Sequence, residues 1–222
     1  MQHNLVWKPW HTPGVESLRL DSDSNGINAS SHLLQNLKGH SIAATYVLNC
    51  DPRWRFRRLW LKVDAQGAKS LILQRDIRGR WFLNEQLRAD LDDCQQVMFS
   101  ASPFTHTPAL QRCALEIGQS EQLQVAHIDL LSLRVEARTQ RYQCLHQANG
   151  QTTYRCHAEG KPSHELTVDR DALLLDEAPA RTAARASSWS WTSSRASPSS
   201  AGSPNARARG ERSSPPSSRP AT

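Results

Sequence analysis

No stretch of this 222-residue chain approaches the roughly 20 consecutive apolar residues that span a bilayer. Its apolar runs are only a few residues long, such as Leu71-Ile72-Leu73 and Leu173-Leu174-Leu175. The opening stretch Met1 to Trp10 is polar, with His3, Asn4 and Lys8 where a signal region would be apolar. The expectation is a soluble, cytoplasmic chain with no transmembrane segment. Cysteine is sparse and unpatterned: Cys50, Cys94, Cys113, Cys144 and Cys156 are odd in number and show no CxxC spacing, which suits reduced thiols rather than a disulfide framework. A nucleophile elbow, a His-Glu-x-x-His pair and a phosphate loop are all missing, so the enzyme class is the weaker one and no cofactor is expected.

Acidic charge is scarce only at one end. The net charge of +6 divides at Pro179 into 20 Lys+Arg and 20 Asp+Glu before it, and 7 Lys+Arg and 1 Asp+Glu from it onward. The part before Pro179 is neutral, which argues against a nucleic-acid groove on a folded face. The last 44 residues hold 13 Ser, 7 Arg and 6 Pro and too little aliphatic surface to offset ordering, so residues 179–222 are expected to be a disordered tail.

Residues 1–178 read as a single mostly-β domain. Trp54 to Val63 alternates, with Trp54, Phe56 and Trp60 on one face and Leu59, Leu61 and Val63 on the other. Ala68 to Gln74 and Gly79 to Leu83 flank a polar turn, and Gln140 to His146 and Thr152 to His157 bracket Asn149-Gly150, whose residues tolerate positive φ. Leu123 to Ile128, Leu131 to Arg138 and His164 to Val168 are further strands. Two short helices are expected, Ser30 to Leu37 and Asn84 to Leu91, the second with Asn84 as its cap.

Gly79-Arg80-Trp81, the segment from Ser102 to Arg112, Gln140-Arg141-Tyr142 and Val168 to Leu173 together resemble the putative glycolipid-binding family of bacterial proteins over roughly residues 5 to 176. The Ser102 to Arg112 segment is similar to the family's Thr-Pro-Phe-Thr-Asn-Thr-Leu-Pro-Ile-Arg-Arg signature: Phe104, Thr105, Thr107 and Arg112 match, while His106, Pro108, Ala109 and Gln111 depart from it. The resemblance implies one strongly curved antiparallel sheet forming a roll or half-closed barrel, and non-catalytic binding of an amphiphile, such as a glycolipid, in its concave face. It also implies that the chain leaves the family pattern after Leu174-Leu175-Asp176, and the tail's composition is what out-of-frame translation of GC-rich DNA yields. A last strand cut short there would leave Leu173 to Leu175 as an exposed edge.

Each candidate residue has two readings. Of Trp7, Trp10, Trp54, Trp60 and Trp81, all are ordinary core or rim residues on one reading. On the other, Trp54, Trp60 and Trp81, with Phe104 and Tyr142, line an amphiphile site. Pro103 and Pro108 make Ser102 to Arg112 an ordered loop rather than a central strand. Its Thr105, His106 and Arg112 either contact a polar headgroup, or cap the loop's own backbone while Arg112 pairs with an acid. Cys144, His146, Cys156 and His157 could hold a metal only if the hairpin register brought three together; a two-residue turn sets Cys144 against Arg155, and no metal site is expected. Asp90, Asp92 and Asp93 read as a solvated turn. Two alternatives remain open from other classes: a small hydrolase or transferase using His106, and a nucleic-acid-associated protein acting through the basic tail, with no specific nucleic acid expected on the present reading.

Overall fold

The computed structural model describes residues 2–9, 13–179 and 191–195. It is two sheets sharing one interior, not the single sheet expected. The first runs β1 (Gln2–Pro9), β2 (Gly14–Asp23), β3 (Gly26–Leu37), β4 (His40–Cys50), β5 (Phe56–Asp64), β6 (Ala68–Arg75), β7 (Trp81–Leu83) and β8 (Gln86–Leu87) as a meander. The second is built from β9 (Cys94–Met98), β10 (Ser120–Ile128), β11 (Val135–Ala148), β12 (Gln151–Ala158), β13 (His164–Asp169) and β14 (Leu174–Pro179). Every pairing is antiparallel except β9 with β10, which the intervening helix α1 (Thr107–Cys113) makes possible as a crossover. One further strand, β15 (Trp191–Arg195), pairs with β1 at the edge of the first sheet. So a segment of the tail lies in the sheet, whereas 180–190 and 196–222 fall outside the described residues, as does Trp10.

The alternation that defines the strands puts one contiguous cluster between the sheets, from Leu5 and Trp7 on β1 to Leu166 and Leu174 on β13 and β14. Ser30 to Leu37 is strand, not helix. Ala29, Ser31, Leu33 and Gln35 face inward while Leu34 is 56% exposed, a period of two that the polar character of Ser31 and Gln35 hides from a hydrophobicity count. Asn84 to Leu91 is not a helix either. Asn84 and Glu85 both hold positive φ (48° and 69°), which makes them the centre of a tight hairpin between β7 and β8. Asn84 Oδ1 accepts the Ile72 amide at 2.8 Å, and only Ala89–Leu91 forms a 3₁₀ turn.

Two β-bulges correct the expected faces. The ladder of β4 with β5 slips at Asn49/Cys50, so Phe56 turns inward with Leu59, Leu61 and Val63, and Trp60 is left half-buried on the opposite face. In the β11–β12 hairpin Asn149 and Gly150 form the two-residue turn, but a slip between Cys144 and His146 sets Cys144 against Tyr154 and Tyr142 against Cys156. Among the described residues no group of three or more His, Cys, Asp or Glu is placed to hold a metal ion.

Leu173 and Leu174 are buried rather than exposed, each 1% accessible: β14 is the terminal strand of its sheet, paired along β13, and the Trp7 indole N–H donates to the Leu174 carbonyl at 2.9 Å. Five turns share one device, an aspartate whose Oδ1 accepts backbone amides ahead of it. Asp23 takes those of Asn25 and Gly26, Asp51 those of Arg53 and Arg55, Asp76 those of Arg78 and Arg80, Asp129 those of Leu131 and Ser132, and Asp169 those of Asp171 and Leu173.

Candidate functional site

The Ser102 to Arg112 segment is not a loop. Pro103 opens a 3₁₀ turn (Pro103–His106) and Pro108 sits in the first turn of α1, where a missing N–H costs no hydrogen bond. Residues 101–110 are all buried, and each polar side chain among them closes a contact inside the protein. Thr105 Oγ1 donates to the Ser102 carbonyl at 2.8 Å, Thr107 Oγ1 to the Ala172 carbonyl at 2.8 Å, and the half-buried Gln111 Nε2 to the Asp171 carbonyl at 2.7 Å. This segment therefore pins the two sheets together, with Thr105 capping the segment's own backbone.

Two buried polar clusters flank it. On one side Glu16 Oε1 receives Ser31 Oγ (2.7 Å), Tyr46 OH (2.7 Å) and Ser102 Oγ (2.8 Å), and its Oε2 has no partner. Burial pushes the Glu16 carboxyl up to about 7 against the pull of those three hydroxyls. On the other side His106 Nδ1 lies 2.8 Å from Tyr142 OH, with the His164 ring edge-on at 5.9 Å and His164 Nε2 at 3.4 Å from Glu177 Oε1. Burial, and secondarily the charges of His164 and Lys161, drives His106 down to about 3. Burial likewise takes His164 down to about 4 and Glu177 up to about 8, so the His164–Glu177 contact joins two neutral groups rather than an ion pair.

The aromatic candidates divide. Trp81, Phe104 and Tyr142 are fully buried. Trp81 stacks on Phe56 at 4.9 Å and donates its indole N–H to the Cys94 carbonyl at 3.1 Å. Trp54 and Trp60 are half-buried at different places: Trp54 in the turn after β4, Trp60 on the outer face of β5. The eight residues do not converge on one concavity. Gln96 Nε2 reaches both the Trp54 carbonyl (2.8 Å) and the Pro108 carbonyl (3.4 Å), tying the turn 51–55 to α1. Arg112 emerges there into solvent, and no acid lies within ion-pair distance of it among the described residues.

A slot of about 170 Å³, its lining divided about evenly between polar and apolar surface, opens at the opposite end of β5. Val63, Ala65, Leu130, Leu131 and Leu133 line it, and His40, Gln66 and Lys69 form a polar rim. Gln66 Nε2 and His40 Nδ1 are 3.2 Å apart on that rim. A shallower polar groove of about 730 Å³ runs past Arg88, Asp90, Arg134, Glu136, Arg138 and Lys161, its cations largely matched by Asp90 and Glu136.

A family model described as Putative glycolipid-binding matches residues 4–181. The chain belongs to that family. The crystal structure of a DUF1089 family protein from Pseudomonas aeruginosa is similar to it, with 25% identity and a TM-score of 0.65 over 80% of this chain and 95% of that one. A β-barrel-like protein of domain of unknown function DUF1849 from Brucella abortus shares 9% identity and a TM-score of 0.48 over 88% of this chain and 95% of that one. No curated protein matches the sequence. In this member of the glycolipid-binding family the segment from Ser102 to Arg112 lies inside the fold except at its last two residues, Gln111 and Arg112.

Sequence reasoning passed over Glu16 and the slot. Glu16 had a signal: it stands in phase with Leu18 and Leu20 on β2, a charged residue at an inward position. The slot had none, because its leucines come from a turn, Leu130 to Leu133, that periodicity reads as strand. No helix of the described residues is long and apolar enough to cross a membrane.

Proposed function

We propose that the protein binds an amphiphile without chemically altering it, the apolar part entering the slot and the polar part resting on its rim. The observation that carries this is the slot itself: five aliphatic side chains next to His40, Gln66 and Lys69 as donors and acceptors. Membership of the glycolipid-binding family agrees with it. An apolar cavity of about 150 Å³ takes a benzene-sized group, so the slot holds the first several carbons of a chain and the remainder runs along the seam. Trp81, Phe104 and Tyr142 have no part in this lining, since they fill the core.

Native mass spectrometry of the full chain, purified without detergent and followed by organic extraction, tests the proposal. The expected result is an extractable adduct of lipid mass that is lost in Leu131→Trp, whose indole fills the slot, while the fold is retained. An adduct that persists in Leu131→Trp would place the ligand elsewhere. A folded protein that stays bare after incubation with lipid extract would defeat the binding role.

A further inference from the structure

The arginines at the other end of β5 have a use that the slot does not supply. Arg58 pairs with Gln74 and Arg75 with Trp81 in the ladders, so the turn 51–55, which leads into β5, and the hairpin 76–80, which joins β6 to β7, project side by side beyond the same sheet edge. Gln96 ties the first turn of α1 to the turn 51–55, and Arg112, one helical turn further on, is near enough to act on Arg75. Together they present Arg53, Arg55, Arg57, Arg75, Arg78, Arg80 and Arg112. Among the described residues only Arg57 and Arg80 are paired, with Asp51 at 2.9 Å and Asp76 at 2.8 Å. Those two carboxylates are also consumed by the amides of their own turns. Asp90, Asp92 and Asp93 act on the Cys94 thiol, yet among the described residues no carboxylate is within ion-pair distance of the other five arginines.

Holding such charges together is unfavourable in the protein alone. Arg75 is half-buried against the Trp81 ring, its guanidinium carbon 5.9 Å from the ring centre, and its Nε is buried without a partner. Its pKa is lowered by burial and then by Arg112, Arg57 and Arg55 in turn. Beside this charge stands Ile77, 90% exposed at the tip of the hairpin, with Trp54 half-buried in the neighbouring turn. Guanidinium groups that match phosphate oxygens, set around one projecting aliphatic side chain, complement an interface of anionic headgroups over hydrocarbon.

We propose that this end of the molecule docks on a membrane surface rich in anionic phospholipid, the arginines on headgroup phosphates and Ile77 at the acyl boundary. The surface is distinct from the slot, and it positions an amphiphile binder at the place where amphiphiles reside.

Co-sedimentation of the full chain with vesicles of phosphatidylcholine, with and without phosphatidylglycerol, tests it. The triple variant Arg55→Gln, Arg78→Gln, Arg112→Gln removes three exposed, unpaired charges. A control triple of equal charge change, Lys62→Gln, Arg134→Gln, Arg141→Gln, lies elsewhere, and the tail's seven arginines are common to all. Expected is phosphatidylglycerol-dependent binding that weakens with salt, falls on the order of a hundredfold in the first triple at about 1 kcal/mol per charge, and changes little in the control. Ile77→Ser weakens it further, and Leu131→Trp leaves it intact, which separates this proposal from the slot. Equal losses in both triples, no loss in either, or binding to duplex DNA that the first triple abolishes without any binding to vesicles would each overturn it.

Discussion

Glu16 accepts three hydroxyl donors on one oxygen, and Tyr46 OH also lies 2.9 Å from Ser102 Oγ. Four short contacts thus share three hydroxyl protons, and a proton on Oε1 completes the set by donating to one of the hydroxyls in place of accepting from it, in keeping with its raised pKa. The sign of the pH dependence follows. Between the ordinary value of 4.5 and about 7 the folded chain keeps a proton that the unfolded chain releases, so stability falls as pH rises across that window and is level above it. The loss is about 3 kcal/mol. Glu16→Gln, which cannot ionise, is expected to lack this component: in urea unfolding at pH 5 and pH 8 the wild type loses stability relative to the variant by that amount. Parallel pH curves would show that Glu16 is ionised in the fold. His106 acts in the opposite sense. Its folded pKa is depressed, so its contribution is present above 6.5 and is lost as pH falls toward about 3.

At the scale of elements, the aspartate-led turns fix where the arginines stand. At Asp51 burial alone would raise the pKa, but the amides of Arg55 and Arg53 and the Arg57 guanidinium hold it below the usual carboxylate range. Removing the carboxylate in Asp51→Ala orphans two amides and one guanidinium, an expected cost of about 1–2 kcal/mol by analogy with capping residues. Asp51→Asn, which keeps one acceptor oxygen, is expected to recover part of it. Equilibrium denaturation of the two variants checks the order; equal losses would assign the effect to the ion pair with Arg57 rather than to the turn. These turns were legible in part. Asn149-Gly150 and the polar stretch after Arg75 announce themselves because their residue types meet specific backbone demands. The bulges that rotate Phe56 inward and move Cys144 opposite Tyr154 have no sequence signature, since a bulge changes pairing without changing composition. Alternation also failed wherever the inward face is polar, as with Ser31 and Gln35 on β3, and for that reason the Glu16 cluster stayed hidden while the aromatic core was plain.

For the molecule as a whole, the open question of stability is what β15 contributes. The family match stops at residue 181, and β1 is already tied to β14 directly, the Trp7 indole donating to the Leu174 carbonyl. β15 adds a ladder from Leu5↔Arg195 to Pro9↔Trp191 along the outer edge of β1, which blunts an otherwise free edge. Removing residues 180–222 is therefore expected to leave a cooperatively unfolding domain whose Tm drops by a few degrees, about 2–4 °C per kcal/mol lost at this size. Hydrogen exchange is the more discriminating measurement. Amides of β1 that point toward β15 should exchange much faster after truncation, while those pointing toward β2 stay protected. If truncation instead abolishes cooperative unfolding, the tail is part of the folding unit. If β1 exchange is the same with and without it, the edge strand contributes nothing in solution, and the domain ends with β14.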